Sequence, residues 1–278
     1  MAGTLYLVAT PIGNLGDISE RAVLTLKEAD LIAAEDTRNS IKILNHFGIK
    51  TPMTAYHEHN KFDKAKYLVS ELLSGKNIAL VTDAGTPGIS DPGEVLVREC
   101  IDNGINVTSL PGCCALISAL ILSGLPTRRF CFEAFLPADK KERTAILEEL
   151  RTETRTVIIY EAPHHLLKTL KDLYDSMGDR KIGVCRELTK KFEEVRHTTL
   201  KQALEYYEEN EPKGEYVLVI EGEDRSKLVL KDQKRWNDIS ISEHMKMYLD
   251  DGEDKKEAMR KVAIDRGISR RDVYQALL

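Results

Sequence analysis

Leu5-Tyr6-Leu7-Val8-Ala9-Thr10 runs straight into Pro11-Ile12-Gly13-Asn14-Leu15-Gly16-Asp17. Further along, Ile78-Ala79-Leu80-Val81 runs into Thr82-Asp83-Ala84-Gly85-Thr86-Pro87-Gly88-Ile89-Ser90-Asp91-Pro92-Gly93. Each pair reads as a short apolar strand followed by a loop rich in glycine and proline. A strand that ends this way brings nearly bare backbone to the carboxyl edge of a sheet. Ligands of open α/β sheets bind at that edge, where N–H and C=O groups meet them without side-chain obstruction. The two loops together predict a binding site.

The pattern around them decides the fold class. Leu5–Ala9, Leu31–Ala34, Met53–Tyr56, Ile78–Val81 and Ile105–Thr108 read as strands. Ser19–Ala29, Thr37–Phe47, Lys61–Leu73 and Glu94–Ile101 read as the helices between them, with Ser19 and Asp36 or Thr37 as caps. Alternation at this pitch predicts a largely parallel sheet with helices on its faces. Pro111-Gly112 breaks the pattern, the apolar helix Ala115–Leu122 follows, and Ser123-Gly124-Leu125-Pro126 punctuates it. Beyond lie Phe130–Phe135 (strand), Lys140–Leu150 (helix), Thr156–Tyr160 (strand), His164–Tyr174 (helix), Ile182–Arg186 and Glu193–Thr198 (strands), Leu200–Tyr207 (helix) and Tyr216–Glu221 (strand). Successive strands without an intervening helix predict antiparallel pairing in a more mixed sheet. A polar separator, Glu223 to Asp238, precedes three short helices at Ile241–Leu249, Lys255–Ile264 and Arg270–Leu277. Gly267 and Ser269 between the last two give the turn of a helix-turn-helix. The expected architecture is thus two α/β domains, 1–118 and 119–232, plus a small all-helical C-terminal domain, 233–278.

Composition bounds the function. The chain has 278 residues, 42% hydrophobic and 31% charged, with a net charge of −5, as in a soluble globular protein. No stretch approaches the roughly 20 apolar residues of a membrane span, and Leu5–Ala9 is too short for a signal-peptide core, so a cytoplasmic location is expected. The five cysteines include no Cys-x-x-Cys, which argues for reduced thiols and against zinc. Adjacent Cys113 and Cys114 offer a nucleophile, but with no histidine near in sequence they read as small residues packed under a loop. His57-x-His59 is too small a ligand set for a metal, and none is expected. Gly13-x-x-Gly16 falls short of a dinucleotide fingerprint, and the phosphate-binding Gly-x-x-x-x-Gly-Lys-Ser/Thr is absent from the sequence. Charge is uneven: Arg180, Lys181, Arg186, Lys190, Lys191, Arg196 and Lys201 face Glu187, Glu193 and Glu194 over one stretch. Such a patch binds phosphate even on an acidic protein, or is simply a solvated face. Arg270 and Arg271, at the start of the last helix, are placed to touch nucleic acid if the helix-turn-helix binds it.

Four motifs stand out: Thr10-Pro11-Ile12-Gly13-Asn14-Leu15-Gly16-Asp17, Ala34-Glu35-Asp36-Thr37-Arg38, His57-Glu58-His59-Asn60 and the loop Asp83 to Gly93. As they stand they resemble those of the tetrapyrrole-methylase superfamily, and within it the branch of 16S ribosomal RNA cytidine 2′-O-methyltransferases. Tyr160-Glu161-Ala162-Pro163-His164, Arg186-Glu187-Leu188-Thr189-Lys190 and Lys213-Gly214-Glu215 continue the match, which runs from about Leu5 to Glu221. The chain departs from the branch in having Thr82 for Ser, Glu133-Ala134-Phe135 where a Gly is common, and His165 for Arg. The resemblance implies S-adenosylmethionine in a cleft between the two α/β domains, 16S rRNA of the small ribosomal subunit as substrate, and a homodimer. It places Ile12 and Gly13 beside the cofactor, Asp83, Ala84, Gly85, Thr86, Ile89 and Ser90 against its ribose and methionine portion, and Cys114 and Ala115 on the adenosine side. Tyr160 and Glu161 would close the pocket.

Methyl transfer to a ribose hydroxyl gains from alignment and from a base. Candidate bases are Glu35, Asp36, His57, Glu58 and Glu187; Asp36 reads equally as a helix cap, and His57 as an ordinary satisfied histidine. Arg38, Arg186, Lys190 and Lys191 are better phosphate clamps than bases. Two rival readings stand beside this one. A tetrapyrrole methyltransferase keeps the cofactor but leaves the basic stretch and terminal helices without a role. A ligand-sensing, nucleic-acid-binding regulator uses those helices but leaves the paired loops unexplained.

Overall fold

The computed structural model describes residues 1–236 and 238–278, with side chains at 231 and 232 left aside. Its first sheet contains β1 (Thr4–Val8), β2 (Leu31–Ala34), β3 (Met53–Ala55), β4 (Ile78–Val81) and β5 (Asn106–Leu110). The order is β3-β2-β4-β1-β5 and every pairing is parallel. β4 is central and buried at all four positions, which is why it reads as an unbroken apolar run. Its pleat divides the core. Ile78 and Leu80 face α3 (Lys61–Leu73) and α4 (Gly93–Asp102), while Ala79 and Val81 face α1 (Glu20–Glu28) and α2 (Thr37–His46). α3 buries Ala65, Leu68, Val69 and Leu72, the one-sided spacing of a surface helix.

The second sheet contains β6 (Phe130–Phe132), β7 (Thr156–Glu161), β8 (Lys181–Arg186), β9 (Glu194–Thr199) and β10 (Tyr216–Ile220), in the order β6-β7-β10-β8-β9. β6 runs parallel to β7 and the other pairings are antiparallel, giving the mixed sheet expected. α5 (Ala115–Leu122) leaves the first sheet and packs Leu116, Ala119 and Leu120 on one face of the second, against Ile158, Cys185, Val217 and Val219. α6 (Lys140–Leu150), α7 (Leu166–Met177) and α8 (Leu200–Glu209) cover the other face.

Several element ends differ from the sequence reading by a residue or two, β5 running on to Leu110 among them, and three departures bear on the architecture. β6 ends at Phe132 rather than Phe135: Ala134 sits at φ 51 and breaks the extended run, although Glu133 N–H still donates to Ile158 O and Ala134 O still accepts the Tyr160 N–H at 2.7 Å. α7 begins at Leu166, after a turn through Pro163 and the two histidines. The polar separator is a helix, α9 (Arg225–Arg235), capped by Asp224 and packed on α11 (Lys255–Arg266). α10 (Ile241–Asp250), α11 and α12 (Arg270–Ala276) form their own small core of Met245, Ala258, Val262, Ala263 and Val273. Gly267 at φ 63 ends α11 and a Ser269–Asp272 capping box starts α12, as the sequence predicts. Among the described residues no helix is long and apolar enough to cross a membrane, and no cluster of three metal-ligating side chains occurs.

Candidate functional site

β1 and β4 are neighbours, so their two loops leave the sheet side by side. They are hydrogen-bonded to each other: Thr10 N–H donates to Gly85 O at 2.9 Å, and Gly85 N–H to Thr10 O at 3.0 Å. Thr86 Oγ1 ties the second loop to Cys113 O at 2.9 Å. Gly85 sits at φ 86 with Ile12 Cγ2 and the Cys113 carbonyl 3.3 and 3.4 Å from where a Cβ would lie. Both polar backbone groups of Gly85 are therefore spent on Thr10. Its part is to let the loop turn, and its neighbours line the cavity. Ser90 also holds a left-handed conformation, at φ 59.

The loops floor a cleft of about 590 Å³ between the two sheets, within the ~300–1,000 Å³ of small-molecule sites. Ile12, Asp83, Ala84, Gly85, Thr86, Ile89, Ser90, Cys114, Ala115, Tyr160 and Glu161 all line it. Gly13 does not line it but packs against the loop after β8. A Cβ there would fall 2.4 Å from Lys190 Cγ, 2.9 Å from Thr189 Oγ1 and 3.1 Å from Leu188 O, so the first loop and the loop after β8 touch through the missing side chain. That second-sheet loop is held in shape by Glu187 and Thr189 at φ 50 and 65. Glu187 Oε1 accepts from Glu215 N–H and from Lys190 Nζ, which also pairs with Glu215 at 2.7 Å. Tyr160 packs on Phe132 and Phe135, and its hydroxyl accepts the Leu116 N–H at 3.1 Å, capping α5 across the domain junction. Burial pushes the Tyr160 hydroxyl up to about 12.

Five carboxylates line the cleft, those of Glu35, Asp83, Asp91, Glu161 and Glu215, against one lysine, Lys190. Burial, with Glu35 and Asp36 nearby, pushes Asp83 up from its ordinary value; burial does the same for Asp91, whose oxygens accept from Gly88 and Gly93 N–H. The cavity favours a cation. A sulfonium nucleoside, cationic and with an apolar ring, suits this volume, this charge and the mixed lining.

Of the five candidate bases, Glu35 reaches the cleft; Glu187, bonded to Glu215 N–H and Lys190, does not line it. Glu35 directly follows β2, and its Oε2 accepts from Thr82 Oγ1 at 2.5 Å and Asp83 N–H at 3.3 Å. Asp36 instead caps α2 and pairs with Arg38, whose guanidinium holds it down at about 2. Its own N–H donates to Asp83. His57 and Glu58 follow β3 at the far edge of the sheet and do not line the cleft. Glu58 pairs with Lys61, and His57 Nδ1 is buried without a partner among the described residues.

The basic stretch is largely spent internally. Arg180 is buried and donates to the carbonyls of Met177 and Arg151. Arg186 donates to Lys213 O and faces Glu194, Arg196 pairs with Glu194 over the Tyr206 ring, and Lys190 is shared between two glutamates. Lys191 is exposed beside Phe192, and Arg270 and Arg271 are exposed on the first turn of α12. Sequence reasoning did not single out Asp91, Glu215, Cys185 or Val217 for the cleft. The first two lie in motifs already quoted. The last two could be found only by knowing which face of the second sheet turns inward.

The tetrapyrrole (corrin/porphyrin) methylase family model matches residues 4–204. The chain is 49% identical over 272 residues to the ribosomal RNA small subunit methyltransferase I of Halalkalibacterium halodurans, covering 98% of this chain and 93% of that protein. It is 52% identical over 229 residues to the protein of the same name from Haemophilus influenzae, covering 81% of each. Among solved structures it resembles diphthine synthase, with a TM-score of 0.64 at 16% identity over 79% of this chain and 90% of that one. The Thermus thermophilus uroporphyrin-III C-methyltransferase complexed with S-adenosyl homocysteine gives 0.55 at 18% identity, over 79% and 97%. These last two likenesses show the fold. Sequence and architecture agree: the chain belongs to the tetrapyrrole methylases and, within them, to the ribosomal RNA small subunit methyltransferase I family.

Proposed function

We propose that the chain methylates the RNA of the small ribosomal subunit from S-adenosylmethionine, at the ribose 2′-oxygen of a decoding-centre cytidine. The observation that carries the cofactor reading is the cleft itself: two hydrogen-bonded glycine loops under a cavity with five carboxylates and one lysine. Near full-length identity to named small-subunit rRNA methyltransferases supports the RNA substrate, and the quoted motifs support the cytidine 2′-oxygen.

When bound, S-adenosylmethionine supplies a methyl group on a sulfonium, a good leaving group. Asp83 to Thr86, with Ile89 and Ser90, hold its polar half, and Cys114, Ala115 and Tyr160 flank its adenosine. The chain's work is then to align the acceptor and exclude water. Glu35, the one catalytic candidate on the cleft wall, takes the proton from the ribose hydroxyl. Asp36, ionised and bound to Arg38, shapes the loop around Asp83 instead. Lys191, Arg270 and Arg271, all exposed, meet RNA phosphate, and Arg38, Arg186 and Lys190 reach it only by sharing or leaving the carboxylates they pair with. The exposed outer face of α5, with Ile117 and Ile121 at 43% and 67% exposure, is the surface through which two copies associate.

Incubation with labelled donor and small subunits lacking the modification, followed by mass mapping, tests the reading. One methyl on one cytidine ribose is expected; methylation of a base, or none, refutes it.

A further inference from the structure

Glu161 ends β7 in the wall of the cleft, yet it is 5% exposed. A buried carboxylate is costly unless both oxygens find donors. Glu161 Oε1 accepts the Ala162 N–H at 2.7 Å, and Oε2 takes the Thr169 hydroxyl in a short hydrogen bond. Thr169, on α7, is fully buried. Its oxygen is also the acceptor for Arg143 Nη2 at 2.8 Å, and Arg143 Nε pairs with Asp172 at 2.7 Å. Arg143, on α6, is 7% exposed.

The direction of this chain of hydrogen bonds is forced. A guanidinium can only donate. Arg143 Nη2–H therefore donates a hydrogen bond to the Thr169 oxygen, and the single Thr169 hydrogen is turned toward Glu161. Glu161 accepts on both oxygens, which is the bonding of an ionised carboxylate. Arg143, Thr169 and Asp172 lie outside the cavity lining; what they fix is visible from inside it only as the Glu161 charge.

We propose that Thr169 and Arg143 are positioning residues that hold Glu161 as a fixed anion facing the cationic methyl donor. The inference rests on the cleft being the donor site. A hydrogen bond to a charged group of this kind carries about tenfold or more in an equilibrium. Thr169→Val keeps the side-chain shape and removes the hydroxyl; Thr169→Ser keeps the hydroxyl. Donor binding is measured by calorimetry with S-adenosylmethionine, and kcat and KM for donor with small subunits. Thr169→Val is expected to weaken donor binding and raise its KM about tenfold, with kcat at saturating donor within about threefold, and Thr169→Ser to restore affinity. Should Thr169→Val fail to fold, Glu161→Gln alone and combined with Thr169→Ser carries the test. Glu161→Gln loses the same affinity, and adding Thr169→Ser changes nothing further. Undiminished donor affinity in Thr169→Val or Glu161→Gln, or a Thr169→Ser protein as weak as Thr169→Val, overturns the inference. A wild-type protein that does not bind the donor at all overturns the cleft reading beneath it.

Discussion

Gly13→Ala concentrates the account into one methyl group. The added carbon lands 2.4 Å from Lys190 Cγ, 2.9 Å from Thr189 Oγ1 and 3.1 Å from the Leu188 carbonyl. The first is mid-chain and the last is backbone, so bending one side chain does not clear the clash. The first loop and the loop after β8 must move apart, and that loop is stiffened by two left-handed residues and the Glu187–Lys190–Glu215 bridge. Overpacking of this sort costs about 1–3 kcal/mol. Because these loops meet at the cleft, moving them apart displaces the walls that would hold the donor, and donor affinity should drop roughly 5- to 150-fold. Calorimetry with S-adenosylmethionine reads it directly. Gly48→Ala is the control: it has φ 62 with no atom within 4 Å of the new Cβ, so it should cost about 1–2 kcal/mol of stability and leave affinity alone. An unchanged dissociation constant for Gly13→Ala, or an equal loss in the control, refutes the idea that contact between these loops sets the binding form.

Further consequences follow from single groups. Glu35→Gln should lower kcat at least about 100-fold with donor affinity nearly kept; equal activity removes it as the base. Asp36 is held at about 2 in the fold against 3.8 ordinarily, so its contribution to stability is complete above pH 3.8 and is lost as pH falls through about 2. The Tm difference between wild type and Asp36→Asn should shrink over that window and stay flat at neutral pH. Lys191→Ala should lower the slope of log affinity for RNA against log salt by about one, and an unaltered slope excludes that contact. Ala134, at φ 51, occupies a conformation that costs about 1–2 kcal/mol with a side chain; Ala134→Gly should leave Tm unchanged or raise it, and a fall of several degrees shows that the methyl is needed for packing.

The sequence carried the fold at the level of elements because its signals are local. β2, β4, α3, α5 and α6 have the bounds that apolar period and caps predict. α9 is not legible in the sequence because Glu223 to Asp238 lacks an apolar stripe; its support is tertiary, with Trp236 stacked 3.7 Å from His244 at its end. The paired loops were legible as glycine and proline chemistry, but not that Gly85 spends its own N–H and C=O on Thr10. The basic stretch misled by counting charge along the chain. Arg186 and Arg196 meet Glu194 on the neighbouring strand, and Lys190 meets Glu215 from a separate turn, pairings that only the folded sheet creates. The Arg143–Thr169–Glu161 chain links α6, α7 and β7, and nothing in its spacing announces it.

The most direct measurement is a crystal structure with S-adenosyl homocysteine bound. Density for the nucleoside lying between the Thr10–Gly85 junction and Tyr160, its amino-acid end toward Asp83 and its ring by Cys114 and Ala115, is the predicted result. Well-defined density at any other place, with that cavity left to solvent, contradicts the account.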